Sequence, residues 1–332
     1  MMVHMFAESQ AATFALYFSN TVHSAVNLGG FHNHVYLVKG DSDFVLRVST
    51  AQHRSLGATG AEVDFLRYLA ANGASVARPL QGLDGRFVYE CQQEGCSWVI
   101  TAFSVARGRD WRNRGSDEGD RLIRIGKTIG KIHRLSRAYQ PTGHRLRRQW
   151  HESQHMAKAE ALLRHYDPRL AGIFQEYLGE MKRLPQDGAG FGLIHGDYLF
   201  SNYHVDGNDV IVFDFDECEY SWFMYDIAVC MYYYLLGGNP SELPGKTQEA
   251  EEMLCHLLRG YLQENEMDVF WIKNIDLFFQ MREFVLLSTT LERFSGTLEG
   301  WQKSFFEGAV DRRLNHRPFI KSSFDRACNI LL

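Results

Sequence analysis

The chain has 332 residues, 45% of them hydrophobic and 23% charged, which is enough for one large or two ordinary domains with a sizeable core. Its formal net charge of -5 excludes the overall basic field of proteins that bind nucleic acid or anionic membranes. The six cysteines form no Cys-x-x-Cys pair, which argues against a zinc ribbon or a thioredoxin-like site and favours free thiols in a reducing, cytoplasmic setting, although Cys91 and Cys96 could meet across a hairpin.

The first hundred residues predict a small antiparallel sheet with one inserted helix. After a short amphipathic helix over 6–19, extended runs rich in β-branched and aromatic residues occupy 22–28, 35–39 and 43–48. Apolar residues at helical spacing then predict a helix over 58–72 that Gly73 ends. Three further strands are predicted over 76–80, 87–91 and 98–103.

The rest of the chain is predicted to be mainly helical. Apolar stripes at helical spacing include residues 122–132 and 170–181, the second just after Pro168. Strand-like patterns return over 191–194, 203–205 and 210–213, and the residues 206–209 read as a hairpin turn. The most apolar stretch, 221–238, is short for a bilayer span and contains Asp226, so it predicts a core helix; the first nine residues show no signal-peptide pattern.

The segment 193–216 carries the most informative polar residues. Phosphoryl transfer needs a carboxylate that orients the attacking hydroxyl and accepts its proton, and oxygen ligands that hold magnesium against the phosphates. Asp197, Asn202 and Asp214 supply this set: the first two share one loop after a short apolar strand, and the third ends the next hairpin. Each residue alone could merely stabilise a turn, but the combination predicts a catalytic site.

Asp197 is therefore the predicted catalytic base, and Asn202 and Asp214 are the predicted metal ligands. His195 belongs to the same catalytic segment, where we expect it to hold the loop by hydrogen bonding rather than to act as the base or as a ligand. His32 and His34 lack carboxylate or cysteine companions, so they are interpreted as polar loop residues and not as a metal site.

The segment resembles the aminoglycoside phosphotransferase and choline kinase superfamily. That superfamily's catalytic loop reads His-Gly-Asp followed by Asn five residues after the Asp, here His195, Gly196, Asp197 and Asn202. Asp214-Phe215-Asp216 resembles its metal segment and is similar to the Asp-Phe-Gly of protein kinases. The run Tyr225-Asp226-Ile227-Ala228 resembles the branch with bacterial homoserine-kinase-like and stress-response kinases. The resemblance implies ATP and Mg²⁺ as cofactors and a two-lobed, kinase-like α+β fold.

The N-terminal half resembles the family's nucleotide-binding lobe more loosely. By resemblance, the turn over 28–34 with Gly29 and Gly30 covers the phosphates, and Arg47 takes the place of the usual strand lysine, with Glu62 as its helix partner. An exposed strand charge and a solvated helix glutamate are the alternative interpretation of that pair. The stretch that leads to residues 103–105 corresponds to the hinge, where backbone groups would bind the adenine edge; Thr101 and Phe103 are its assigned nucleotide-binding residues.

Several protein-kinase features are missing. Gly196 replaces the arginine of His-Arg-Asp, Asp216 replaces the glycine of Asp-Phe-Gly, and no Ala-Pro-Glu follows. The short segment between Asp216 and Asp226 leaves no room for a long activation loop. Regulation by activation-loop phosphorylation is therefore not expected, and the architecture suits a substrate that enters an open cleft over the helical lobe.

Acids and aromatic rings surround the catalytic segment, and they suggest an amine-bearing acceptor. Tyr198, Asp216, Glu217 and Trp222 are the candidate acceptor residues, since carboxylates and ring faces both attract cations. As alternatives, Asp216 could belong to the metal site, and Trp222 could pack against the following helix.

The prediction as a whole is an α+β, protein-kinase-like fold with a small antiparallel sheet lobe over 1–104 and a larger, mainly helical lobe over 105–332. The predicted function is transfer of the ATP γ-phosphate to a hydroxyl of a small molecule. A Ser/Thr protein kinase of the bacterial stress-response type and a catalytically silent nucleotide-binding protein are the alternatives. The sequence does not distinguish ATP from GTP as the donor.

Overall fold

The structure is a computed structural model that describes residues 8–30, 33–93, 95–109, 117–143, 146–237, 245–293 and 298–332. By their contacts, residues 1–109, 139–147 and 204–216 form one compact unit, and residues 110–138, 148–203 and 217–332 form a second. Each unit is described separately below. The lobe boundary at 104/105 stays a prediction.

A five-stranded antiparallel sheet forms the centre of the first unit. Its strand order is β1-β2-β3-β5-β4, and the strands are β1 (Ser24–Gly29), β2 (His34–Lys39), β3 (Phe44–Thr50), β4 (Val88–Gln93) and β5 (Cys96–Ser104). One face of the sheet buries Tyr36, Val38 and Leu46 against Phe14 of α1 (Glu8–Ala15). The alternation of buried and exposed side chains along β2 is what a half-buried strand requires.

Helix α2 (Leu56–Ala71) follows β3, as predicted. Ser55 caps its first turn because its hydroxyl accepts a hydrogen bond from the Ala58 N–H, which would otherwise have no intrahelical partner. The helix stops at Asn72, and Gly73 follows with a φ of 77°.

Helices dominate the second unit. Their bounds are α3 (Glu118–Ala138), α4 (Gln154–Tyr166), α5 (Pro168–Met181), α6 (Phe223–Leu236), α7 (Thr247–Tyr261), α8 (Val269–Lys273), α9 (Ile275–Arg293), α10 (Gly300–Leu314) and α11 (Asp325–Leu331). Asp167 caps α5 ahead of Pro168, which is favourable at the first helical position. Within the described residues, no helix has both the length and the apolarity to cross a membrane.

Small residues let α3 and α7 pack with their backbones almost touching. A Cβ added at Gly126 would lie 2.0 Å from the Leu257 carbonyl oxygen, and one added at Gly260 would lie 1.8 Å from that of Ile123. Any larger side chain would push the two helices apart, so the glycines set their separation.

Two short two-stranded sheets carry the predicted catalytic segment. Strand β6 (Phe191–Ile194) pairs with β9 (Glu219–Trp222), and β7 (Tyr203–Asp206) pairs with β8 (Asp209–Val212) through the predicted Gly207-Asn208 turn. Strand β9 was not predicted, because four residues that run directly into an apolar helix give no separate strand signal.

The strand predicted over 76–80 does not form. Val76 makes an isolated bridge to Val212, and Pro79 makes one to Phe103, while the segment between them joins no ladder. Pro79 has no N–H to donate, so a continuous ladder is broken there. All six cysteines are free thiols, so Cys91 and Cys96 do not form a disulfide.

Candidate active site

A buried arginine and glutamate face each other in the first unit. Arg47 on β3 donates from Nη1 to Oε1 of Glu62 at 2.9 Å and from Nη2 to Oε2 at 2.6 Å, and both side chains are at most 5% exposed. Two parallel hydrogen bonds are the geometry in which an arginine binds a carboxylate most strongly. The predicted Arg47–Glu62 pair is therefore present, and neither residue is an exposed surface charge.

The surroundings of Arg47 keep it charged. Burial acts to lower the pKa of Arg47, but the Glu62 carboxylate outweighs burial, and the net pKa is raised above its ordinary value. The guanidinium carbon lies 5.0 Å from the ring centre of Phe103, in a cation–π arrangement. Thr101 lies opposite Arg47 in the sheet and is 1% exposed. Its hydroxyl donates a hydrogen bond to the Phe87 carbonyl, so its side chain stabilises the sheet.

Asp214 lies at the end of the β7–β8 hairpin, close to Arg47. Its Oδ1 is 3.7 Å from Nη1 of Arg47, and its side chain is 43% exposed. Its φ of 63° lies in the left-handed region, which non-glycine residues adopt at a cost, and such residues cluster at functional sites. Unlike Glu62, Asp214 thus presents an accessible carboxylate beside the arginine.

Asp216 differs sharply from Asp214. It is 6% exposed, and its Oδ2 accepts hydrogen bonds from Asn33 at 2.8 Å and from Arg54 at 3.1 Å, while Arg147 donates to its backbone carbonyl at 2.6 Å. The predicted contact of Asp216 with an acceptor is not supported, because its carboxylate is buried among these donors.

The predicted phosphate turn is only partly described, since Phe31 and His32 lie outside the described residues. Gly29 and Gly30 have φ values of 85° and 138°, and a Cβ at Gly30 would lie 2.1 Å from the Asn33 carbonyl oxygen, so a glycine is required there. Asn33 accepts the Ser49 hydroxyl at 2.7 Å and donates to Asp216, which connects this turn to the metal segment within the first unit.

In the second unit, Asp226 holds the loop that carries Asp197. The Asp226 carboxylate accepts the backbone N–H groups of His195 at 2.9 Å and Gly196 at 2.8 Å, and it lies 3.0 Å from Nε2 of His133. A Cβ at Gly196 would lie 2.6 Å from the Glu217 carbonyl, and its φ is 80°, so only glycine fits. The sequence places Asp226 at the start of a helix but does not indicate this anchoring role.

His195 is fully buried, and its Nδ1 accepts the Asp197 N–H at 3.2 Å. This contact fits the predicted loop-holding role and leaves the ring without an exposed edge for catalysis. The ring of His133 stacks on the ring of Phe223, and the two ring centres are 4.6 Å apart. Burial lowers the pKa of His133, although Asp226 partly opposes the shift.

Asp197 and Asn202 are in direct contact. The Asn202 amide nitrogen donates to the Asp197 carbonyl at 2.9 Å and to its Oδ2 at 3.2 Å. Because the amide nitrogen faces Asp197, the amide oxygen of Asn202 is the atom left to serve as a metal ligand. The Asp197 side chain is 25% exposed, so it can be reached by a ligand.

The structure also brings to Asp197 a residue that the sequence did not indicate. Arg282 on α9 donates to Oδ1 of Asp197 at 2.5 Å. It stands 85 positions away on the face of α9 whose other buried side chains are mostly apolar; a charged residue on such a face is the one signal that could have found it.

Three of the four predicted acceptor residues have little or no exposed side chain. Tyr198 is 1% exposed and Trp222 is fully buried against Trp150 and Phe278, with its indole N–H donated to the Pro185 carbonyl. Trp222 therefore packs the helical core, as the alternative interpretation had it, and offers no ring face to a cation.

Glu217 keeps some exposure, and its partner is an arginine. Its side chain is 22% exposed and forms an ion pair with Arg148, which also contacts Glu219 at 3.2 Å. Two carboxylates of the second unit thus share one arginine. Within the described residues, no three His, Cys, Asp or Glu side chains gather as a ready metal cluster.

A protein-family model described as the phosphotransferase enzyme family matches residues 25–257. Amicoumacin kinase of Bacillus subtilis (strain 168) is 29% identical over 275 residues, which cover 80% of each protein. The solved structure of amicoumacin kinase hAmiN in complex with AMP-PNP, Ca²⁺ and Ami superposes with a TM-score of 0.88, at 25% identity and 97% coverage of both chains.

More distant solved structures share the fold. A microcompartment-associated aminopropanol kinase has a TM-score of 0.65 at 19% identity, covering 97% of this chain and 96% of its own. A spectinomycin phosphotransferase in complex with ADP and spectinomycin has a TM-score of 0.58 at 14% identity, covering 97% and 98%.

These similarities confirm the predicted kinase-like α+β fold and the enzyme class, a phosphotransferase with an alcohol group as acceptor. They also confirm the resemblance to aminoglycoside phosphotransferases and choline kinases drawn from the catalytic loop. The chain belongs to the phosphotransferase enzyme family.

Proposed function

We propose that this chain is an ATP- and Mg²⁺-dependent kinase of a small, hydroxyl-bearing antibiotic or amino alcohol, with amicoumacin as the first candidate acceptor. The observation that carries the proposal is the similarity over 97% of both chains to an amicoumacin kinase in complex with AMP-PNP, Ca²⁺ and Ami. The Asp197–Asn202 contact and the Arg47–Glu62 pair supply the chemistry that such a kinase needs.

In this reaction the acceptor oxygen forms a bond to the γ-phosphorus, and the bond from that phosphorus to the β–γ bridging oxygen breaks to release ADP. Asp197 orients the acceptor hydroxyl and takes its proton. Arg47 binds the phosphates, held in place by Glu62. Asn202 and Asp214 remain the proposed metal ligands because each offers an oxygen to a hard cation. Bound Mg²⁺ would neutralise the charge that develops on the phosphates.

The proposal also specifies that the acceptor carries an amine group. With Trp222 buried, this part of the proposal rests on the acidic side chain of Glu217 and on the two carboxylates that share Arg148. A protonated amine would pair with Glu217 and so share that carboxylate with Arg148. Glu217→Gln should then raise the KM for the acceptor more than the KM for ATP, while Glu176→Gln, an exposed change on α5, should alter neither.

The test is a direct assay of the purified protein with ATP, Mg²⁺ and a panel of amicoumacin, aminopropanol and spectinomycin. Acceptor-dependent ADP release and a product heavier by one phosphoryl group support the proposal, and Asp197→Asn serves as the inactive control. Phosphate transfer to a polypeptide but to none of the small molecules would refute it, as would ATP binding without any transfer.

A further inference from the structure

Helix α9 carries two adjacent charged residues at buried positions. Arg282 is 7% exposed and Glu283 is fully buried, in a helix whose other buried side chains are almost all apolar. A buried charge is costly unless a partner compensates it. Glu283 has its partners on α10, where Arg312 contacts it at 2.6 Å and Arg313 at 2.8 Å. Arg282 is thus not needed to neutralise Glu283, and its guanidinium binds other partners.

The partner of Arg282 is the predicted base. Its Nη2 donates to Oδ1 of Asp197 at 2.5 Å and to the hydroxyl oxygen of Tyr233 at 2.5 Å. Its guanidinium carbon lies 4.9 Å from the centre of the Tyr233 ring. All three residues belong to the second unit. One nitrogen of the guanidinium therefore connects α9, the catalytic loop and α6.

The carboxylate of Asp197 is held at both oxygens. Oδ1 accepts from Arg282, and Oδ2 accepts from the Asn202 amide at 3.2 Å. Two donors on opposite oxygens define the plane of the carboxylate, whereas one donor would leave it free to rotate about the Cβ–Cγ bond. Orientation matters here because an acceptor hydroxyl must be aimed at the phosphorus along a narrow line of attack.

Charge strengthens this contact. Arginine is the side chain that keeps its charge when buried, and a hydrogen bond from a charged donor to a carboxylate is stronger than one between neutral groups. Burial acts to lower the pKa of Arg282, but Tyr233 and Asp197 outweigh it, and the pKa is raised well above its ordinary value. Burial also raises the pKa of Tyr233, so its hydroxyl stays neutral and can accept from Arg282.

We propose that Arg282 is a positioning residue that holds the Asp197 carboxylate in one orientation, and that Tyr233 fixes Arg282 in that place. The inference rests on the proposed role of Asp197 as the base. It adds a residue of α9 that acts through Asp197 and does not itself touch the phosphates.

The test compares Arg282→Met, Arg282→Lys and Tyr233→Phe with Arg293→Met, an exposed arginine at the end of the same helix. Turnover is measured with amicoumacin as the probe acceptor and, separately, as slow hydrolysis of ATP, in which water takes the acceptor's place. Each variant is assayed for kcat and for the KM of ATP, and its folding is checked by thermal unfolding.

We expect Arg282→Met to lower kcat about 10-fold to about 100-fold, the usual effect of losing a hydrogen bond to a charged group. The KM for ATP should stay within about two-fold, because ATP binding does not depend on Asp197. The loss should therefore appear in kcat and not in the KM for ATP. Arg282→Lys should recover part of the rate, Tyr233→Phe should show a smaller loss, and Arg293→Met should match the wild type.

A folded Arg282→Met protein with wild-type kcat, or with lowered kcat and a KM for ATP raised to the same extent, would overturn the inference. If Arg282→Met does not fold, Tyr233→Phe and Arg282→Lys decide: wild-type kcat in both would overturn it. Asp197→Asn separates this inference from the proposed function. An active Asp197→Asn protein refutes the role of Asp197 itself, whereas an inactive one together with unaffected Arg282 variants refutes only the positioning role.

Discussion

Two arginine–carboxylate pairs, one in each unit, use the same chemistry for different ends. In the first unit Arg47 binds both oxygens of Glu62, and Asp214 stays accessible at 3.7 Å. In the second unit Arg282 binds one oxygen of Asp197, and Asn202 binds the other. In the first pair the carboxylate fixes the arginine, which is the proposed phosphate-binding group; in the second the arginine fixes the carboxylate, which is the proposed base. The comparison teaches that an arginine–carboxylate pair can position either one of its two partners.

The largest loss of activity is expected when the Asp197 carboxylate of the second pair is removed. Asp197→Asn keeps the size of the side chain but removes the proton acceptor, so kcat should fall about 100-fold to about 10,000-fold. The Kd for ATP should change little, because the phosphates are held by other residues. Single-turnover kinetics and calorimetric titration with ATP measure the two quantities, and near-wild-type turnover would contradict the assignment.

Removing the supporting carboxylate of the first pair should act on folding as well as on ATP binding. Glu62→Gln leaves Arg47 buried with only the more distant carboxylate of Asp214, and breaking a buried pair costs about 3 to 5 kcal/mol of unfolding free energy. Urea unfolding measures this loss. Glu307→Gln, in an exposed pair with Lys303, is the control and should change stability by less than about 1 kcal/mol.

A double variant then separates structure from function in that pair. Arg47→Met with Glu62→Leu replaces both charges with apolar groups, which should restore most of the stability. ATP binding should stay weak, because the cation that meets the phosphates is gone. Recovery of ATP affinity in the double variant would show that Arg47 is structural only.

A variant of Asp216 can test whether its buried hydrogen bonds to Asn33 and Arg54 contribute to ATP binding. Asp216→Asn removes the negative charge that holds Arg54 and Asn33, and we expect the KM for ATP to rise about 10-fold with the acceptor KM unchanged. Asp43→Asn, in an exposed pair with Lys39, is the matched control in the same unit. Steady-state kinetics in both substrates provide the readout, and an unchanged ATP KM would restrict Asp216 to a folding role.

The smallest expected effect is a pH dependence of the unfolding free energy that arises from His133. Burial places the pKa of His133 below its ordinary value of 6.5 in the folded chain. As the pH falls below about 6.5, the unfolded chain therefore takes up a proton that the folded chain does not, and stability falls by at most about 1.4 kcal/mol per pH unit. The fall ends below the lowered pKa, where both states are protonated.

Urea unfolding at several pH values between 7 and about 5 measures this slope. His133→Asn should flatten the profile across this window, whereas the exposed His165→Asn should leave it as in the wild type. A wild-type slope in the His133→Asn protein would assign the pH dependence to other groups.

Much of the fold could be predicted because its signals are local. Helix α2 follows from apolar spacing and from Gly73 at its end, and the β7–β8 hairpin follows from its turn residues. The failures also have local causes: Pro79 interrupts a segment that otherwise resembles a strand, and β9 is too short to separate from the helix after it.

The sequence by itself determined the class of chemistry. Phosphoryl transfer needs carboxylate and amide side chains. These occur in the His-Gly-Asp loop, in the asparagine that follows it and in the Asp-x-Asp segment, at spacings that a strand and a hairpin can accommodate. The pairing of Arg47 with Glu62 was predicted from the resemblance to the kinase family, in which a basic strand residue pairs with a glutamate of the following helix.

Only the tertiary structure decided which of the candidate side chains are available. Asp214 and Asp216 are two residues apart and chemically identical, yet one is 43% exposed beside Arg47 and the other is buried under Arg54 and Asn33. Trp222, which reads as a ligand-binding aromatic, belongs to the helical core. Arg282 reaches Asp197 across 85 positions. Exposure and long-range partnership depend on how elements pack, and packing is a property of the whole chain that no local spacing encodes.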